Sequence, residues 1–308
     1  MCIKERNTSD STCKKLLRDK GCFADLCNYA FFQGRQVIQP EELVSRENDL
    51  STLIGKVDKP TEIKRYRDVV RKASIHGEYV IIGVEHQSTF DEKMIFRILN
   101  YDATIYINQV ESKQEVYPVG SFVFYTGDKE WKSPETLKET LKNIPPEMEP
   151  YINDWRLPVV ELKTMDARKL TNQRLKEIVE ISQSMFAGNY DELSENRKIE
   201  TENFMMAATF TRTKIKREDL PEGDEINMCE AMDRLFQRFE NQGMEKGKII
   251  GFEKGKSDTL KEQLKVKLGT LSRPLEKQLT NTSLEKLNEL TLNIFNVTSE
   301  EDVLRIIN

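Results

Sequence analysis

The sequence is poor in the side chains that build soft-metal and redox centres: two histidines and five cysteines in 308 residues. The cysteines, Cys2, Cys13, Cys22, Cys27 and Cys229, are odd in number, and four fall in the first 27 residues with no CxxC pair and no nearby histidine. A structural zinc site needs closely spaced thiolate and imidazole ligands, so free buried thiols in a reducing compartment are the simpler reading. No apolar run approaches the ~18 residues needed to cross a bilayer. The first residues, MCIKERNTSDST, are polar and do not read as a signal peptide, so an intracellular protein without a membrane partner is expected. No helix-turn-helix or finger signature suggests base readout. The formal net charge of -5 excludes a basic coat over the whole surface but leaves room for a local basic groove. What is abundant is charge: 32% of residues are Asp, Glu, Lys or Arg against 38% hydrophobic, the balance of a chain rich in exposed helix.

Periodicity divides the chain into a mixed first half and a helical second half. Residues 14–32 place Leu16, Leu17, Phe23, Leu26 and Phe31 at helical spacing and predict one helix stopped by Gly34. A short helix start follows at Pro40. Residues 64–75 and 78–87 are β-rich runs joined by His76-Gly77 and read as antiparallel neighbours. A helix is expected over 91–113, with Asp91 and Glu92 at its N-terminus, where the dipole favours anions. Strands are expected at 117–128 and 157–165, with a short helix opened by Pro134 between them. Beyond about residue 166 only helices are expected: 167–187, 191–210, 224–266, 283–294 and 299–307. The domain reading is therefore an α/β core over 14–166 and a helical region over 167–308. Within that region Gly243, Gly247, Gly251 and Gly255 recur every fourth residue. Helical glycine costs about 0.5–1 kcal/mol relative to alanine, so the stripe either packs closely on another helix or a second copy, or marks a weak, charge-solvated linker.

The chemistry concentrates in Tyr79–Ser88, YVIIGVEHQS. Alternation puts Ile81, Gly83, Glu85 and Gln87 on one face and Val80, Ile82, Val84 and His86 on the other. Apolar residues on both faces predict a central strand covered on both sides. Glu85 and Gln87 then project together from the end of a core strand. If the His76-Gly77 turn pairs the two runs, Asp68 approaches Glu85, and a divalent cation with oxygen ligands relieves the repulsion between them. Such an ion can activate water and stabilise charge on a phosphodiester. The alternative is that Asp68 pairs with Arg65, Arg67 or Arg71 and Glu85 is a solvated strand end. His86, on the opposite face, reads as a packed histidine beneath a helix, and His76 as an exposed turn residue.

The stretch YRDVVRKASI…EYVIIGVEHQSTFDEKMIFRILNYDATIY resembles the core of the recombination-promoting nuclease, or transposase, family of bacteria, a branch of the PD-(D/E)XK nucleases. Glu85-His86-Gln87-Ser88, Met94, Arg97 and Tyr101 carry the resemblance. Phe23–Tyr29, FVFYTGDKEW with Gly127 and Trp131, and the tail NQGMEKGKIIGFEKGK extend it. It spans roughly 15–170 well and the tail loosely. The resemblance implies a restriction-endonuclease-like α/β core, a mixed sheet flanked by helices. It makes Asp68 and Glu85 the metal ligands, for Mg²⁺ or alternatively Mn²⁺ or Ca²⁺. Gln87 stands where lysine is usual, and Arg97 and Tyr101 face the site from the next helix. Lys72 and Lys93 are candidates to replace the lysine charge, and Asp19 or Asp25 to add a carboxylate from the first helix. The implied protein is a bacterial cytoplasmic DNA endonuclease linked to recombination, mobile elements or defence, acting as a homodimer. It would hold DNA by the phosphate backbone through Lys64, Arg65, Arg67, Arg71 and Lys72 or through Arg212, Lys214, Lys216 and Arg217. A non-catalytic nucleic-acid-binding or assembly protein on the same fold is the alternative, and RNA cleavage a third.

Overall fold

The computed structural model describes residues 3–44, 69–113, 115–193 and 196–308. Helices α1 (Ile3–Arg18) and α2 (Lys20–Phe32) replace the single helix expected over 14–32. The apolar spacing runs through both, but Asp19 is extended (φ -66, ψ 122) and its side chain accepts from Cys22 N at 2.8 Å, capping a new helix. Gln33 and Gly34, at φ 59 and 91, then end α2 in the left-handed region.

Strand β1 (Val69–Ile75) turns through His76 and Gly77, both at positive φ, into β2 (Glu78–Gln87). A two-residue turn of that hand matches strand twist and makes the pair antiparallel. Helix α3 (Met94–Glu111) crosses over to β3 (Val119–Tyr125), parallel to β2. A short helix, α4 (Leu137–Thr140), leads to β4 (Val159–Glu161), parallel to β3. The strand order is β1-β2-β3-β4, so β2 is interior. β4 is shorter than expected because Thr164 N and Met165 N both turn back to the Glu161 carbonyl.

Strands continue past residue 166. Helix α5 (Gln173–Ala187) is followed by β5 (Lys198–Glu200), α6 (Thr201–Thr211) and β6 (Glu225–Asn227), with β5 and β6 forming a separate antiparallel pair. Three-residue strands leave too little alternation to read from sequence. The 41-residue α7 (Met228–Leu268), α8 (Arg273–Thr280), α9 (Leu284–Asn293) and α10 (Glu300–Ile307) complete the chain. α8 was not anticipated.

One sheet face packs Ile82, Val84, Phe122, Phe124 and Val160 against α1, α2, α5 and α6. The other packs Val123 and Tyr125 against Met94, Ile95 and Ile98 of α3. Each large apolar side chain so buried contributes about 1.5–3 kcal/mol. This is a mixed α/β sheet flanked by helices with a helical C-terminal region, as expected. The compact units are Met1–Asp233 and Arg234–Asn308; α5 and α6 contribute to the sheet's core through Leu175, Ile178, Val179, Met206 and Phe210. The second unit closes on its own leucine core, including Leu260, Leu264, Leu279, Leu287 and Leu290. In α7 a methyl group added at Gly243, Gly247, Gly251 or Gly255 would meet no atom within 4 Å.

Candidate active site

Glu85 and Gln87 sit at the end of β2, each only 4% exposed. They share the face covered by α3, which begins seven residues after Gln87. Helical spacing brings Arg97 and Tyr101 one turn apart on that helix. Arg97 Nη2 donates to Glu85 Oε1 at 2.9 Å, Nη1 to Asp91 Oδ2 at 3.1 Å, and Nε to the Tyr101 hydroxyl at 3.3 Å. Gln87 Nε2 donates to the same Glu85 oxygen at 3.3 Å. Burial works against the Arg97 charge, but the Tyr101 hydrogen bond and the Glu85 carboxylate outweigh it and hold the guanidinium above its ordinary value. Asp91 Oδ1 also takes Lys93 N at 3.0 Å, fixing the start of α3.

Four of the five expected site residues thus converge: Glu85, Gln87, Arg97 and Tyr101. Asp68 lies outside the described residues, as do Lys64, Arg65 and Arg67. The last described rung of the β1–β2 ladder pairs Val69 with Val84, the neighbours in sequence of Asp68 and Glu85.

Other expectations are redirected. Asp25 is buried and accepts from Thr171 N, Asn172 N and Gln36 Nε2 at 2.8, 2.9 and 3.0 Å, so it ties α2 to the start of α5. Asp19 is a helix cap. Lys72 lies over the rings of Tyr79 and Tyr117, 3.9 Å from each centroid, opposite Ile81 at the far end of β2. Arg71 donates to the Leu17 and Arg18 carbonyls at 2.9 Å and covers the end of α1. Neither Lys72 nor Arg71 is directed to Glu85. Lys93 is exposed at the start of α3. His86 is satisfied as expected, with Nδ1 at 3.0 Å from Asp10 Oδ1 and Nε2 at 2.9 Å from Thr126 Oγ1.

Two participants went unread in the sequence. Asp91 looked only like a dipole-favoured acid, although it lies six residues before Arg97. Asp10 had no local signal, since its contact with His86 spans 76 residues. Beside the site, burial pushes the Tyr125 phenol up, Asp128 and Glu161 add to the push, and Arg212 opposes it. Gly127 is required here, because a Cβ would fall 2.1 Å from the Tyr125 hydroxyl.

The donors at the site are oxygens and an amide, the set preferred by Mg²⁺, Mn²⁺ and Ca²⁺ rather than by zinc or copper. Among the described residues no group of three or more His, Cys, Asp or Glu side chains converges.

The model of the family described as "Putative transposase, YhgA-like" matches residues 61–211. Residues 61–211 are thus similar to the YhgA-like transposase family. The matched region runs from before β1 through α6 and contains every residue of the Glu85–Arg97 cluster. A transposase family is one of DNA-handling proteins. No curated protein and no solved structure shows a significant match to the chain. Among the described residues no helix is long and apolar enough to cross a membrane.

Proposed function

We propose that the protein is a divalent-metal-dependent DNA endonuclease whose active site is the end of β2. One observation carries this reading: a buried carboxylate, Glu85, at the tip of an interior strand is joined by a half-exposed arginine to Asp91 and Tyr101. Buried carboxylates are rare unless paired or used, and this one is held at a strand end beside a half-exposed guanidinium.

Glu85 and Asp68 would hold the metal, Asp68 being the residue before Val69 in sequence. Bound there, Mg²⁺ would lower the pKa of water and offset charge on the phosphodiester. The chain's own residues do the rest. Arg97 fixes the rotamer of Glu85 and presents a planar cation to phosphate oxygens. Tyr101 and Asp91 hold that guanidinium in place. Gln87 donates to Glu85 and, being neutral, supplies orientation rather than charge. A homodimer would present one such site to each DNA strand.

The test is nicking of supercoiled plasmid with Mg²⁺ or Mn²⁺. Wild type should nick, and Asp68→Ala and Glu85→Ala should each lower the rate on the order of 100-fold or more. A wild type no faster than the double variant with any divalent ion ends the reading.

The Glu85–Arg97 ion pair also favours a second reading, in which the pair is a structural lock in a non-catalytic nucleic-acid-binding protein. Metal-independent DNA binding by wild type and both alanine variants alike, without nicking, would select it. A parallel RNA substrate separates the two nucleic acids.

A further inference from the structure

We propose that Arg212 is a second phosphate-binding residue of the same site, gripping the nucleic-acid backbone at the end of β2 from the layer opposite Arg97. The proposal rests on the endonuclease reading and extends it to a residue beyond the family-matched region, which stops at Thr211.

Arg212 follows α6, whose Phe210 packs on Phe124 and His86 with ring centroids 6.1 and 6.0 Å apart. That is the sheet face turned away from Glu85. Arg212 is nevertheless exposed, and its Nη2 donates to the Ser88 carbonyl, three residues past Glu85. Two guanidinium groups therefore reach one strand end from two helical layers: Arg97 over Glu85, Arg212 over Ser88. The Ser88 hydroxyl is buried at the same point and has no hydrogen-bond partner among the described residues. It adds a donor of the kind that phosphate oxygens take. The Arg212 charge also acts on Tyr125 at the end of β3, so its field covers the tips of both interior strands.

Two other basic residues of this run are directed elsewhere. Arg217 donates to the Pro221 and Gly223 carbonyls, and Lys216 pairs with Glu218. The backbone at Arg212 is informative too. It caps α6 at φ 58, a left-handed conformation that glycine adopts more easily. The left-handed backbone does not itself call for arginine; what arginine adds there is a side chain that reaches the Ser88 carbonyl. In a chain of net charge -5, one well-placed guanidinium counts for more than in a basic protein.

The left-handed backbone supplies a clean test. Arg212→Gly removes the guanidinium while suiting the backbone, so the fold should persist; Arg212→Lys keeps the charge but loses the fork. Full-length protein is titrated with a fluorescein-labelled DNA duplex in Ca²⁺ at several salt concentrations, and nicking is followed separately in Mg²⁺. With the melting temperature unchanged, Arg212→Gly should weaken binding about tenfold and lower the salt slope by about one. Arg212→Lys should keep the slope and regain part of the affinity. Nicking should lose mainly in KM. If wild type nicks but Arg212→Gly binds with wild-type affinity and slope, this proposal fails and the endonuclease reading stands. An equal fall in melting temperature and binding for both variants would reduce Arg212 to a prop for Ser88 and also overturn it. A wild type that neither binds nor nicks removes the endonuclease reading and this proposal with it.

Discussion

Glu85 and Arg97 are twelve residues apart along the chain and 2.9 Å apart in space. Their side chains are 5% and 35% exposed, so water screens the arginine but hardly reaches the carboxylate. Arg97→Met, which keeps the aliphatic stem, should therefore cost about 1–3 kcal/mol by removing the cation that faces a buried carboxylate. Arg97→Lys should cost less, because an ammonium still offsets the Glu85 charge, but not nothing, because it cannot span Glu85, Asp91 and Tyr101 together. Urea denaturation of the two variants checks the order; equal loss for both would mean the fork geometry is idle.

His86→Gln separates packing from chemistry. The imidazole is fully enclosed and joins α1 to the residue after β3 through Asp10 and Thr126. Its replacement should destabilise by about 1–3 kcal/mol. Nicking per folded molecule should stay near wild type, since His86 projects to the face away from Glu85. A large loss of rate at full stability would bring His86 into the reaction.

Glu202 predicts an acid limb in the stability profile. A hydrogen bond from Lys15 and the charge of Arg174 hold its carboxyl below the ordinary value of 4.5, tying α1 and α5 to α6. A depressed folded pKa adds stability above the unfolded value and loses it as pH falls through the folded one. Thermal midpoints should be level above pH 5 or so and decline below it. Glu202→Gln should lower the plateau and flatten the decline; an unchanged acid limb would assign it to other carboxylates.

Gly247→Ala and Gly251→Ala address the glycine stripe of α7. Each added methyl meets open space, so each variant should stabilise the helix by about 0.5–1 kcal/mol. Circular dichroism melting reads this directly. A drop in melting temperature, with a change of sedimentation coefficient, would mean instead that another helix lies on the bare stripe.

The residues that sequence exposed, and those it hid, differ in the range of the forces that place them. Alternation in Ile81–Gln87 and the one-turn spacing of Arg97 and Tyr101 are local, so the two faces of β2 and the approach of α3 to Glu85 were legible. The helix break at Asp19 depended on one capping oxygen, which apolar periodicity ignores. Lys72 read as a spare cation because its two tyrosine partners lie on other strands or loops. Arg212 looked like one member of a charge run, because Ser88 is 124 residues away. The β5–β6 pair was missed for the same reason: each strand is too short to show a pattern, and only its distant partner defines it.

Helices α1 and α2 precede the matched region, yet Leu16, Leu17, Phe23 and Leu26 form much of the floor beneath Val84, Phe122 and Phe124. Trimming an expression clone to begin at residue 61 would bare that oily underside to solvent. Such a fragment should aggregate, and its lack of nicking would say nothing about Glu85. Any shortened version made for crystals or assays has to keep the first two helices.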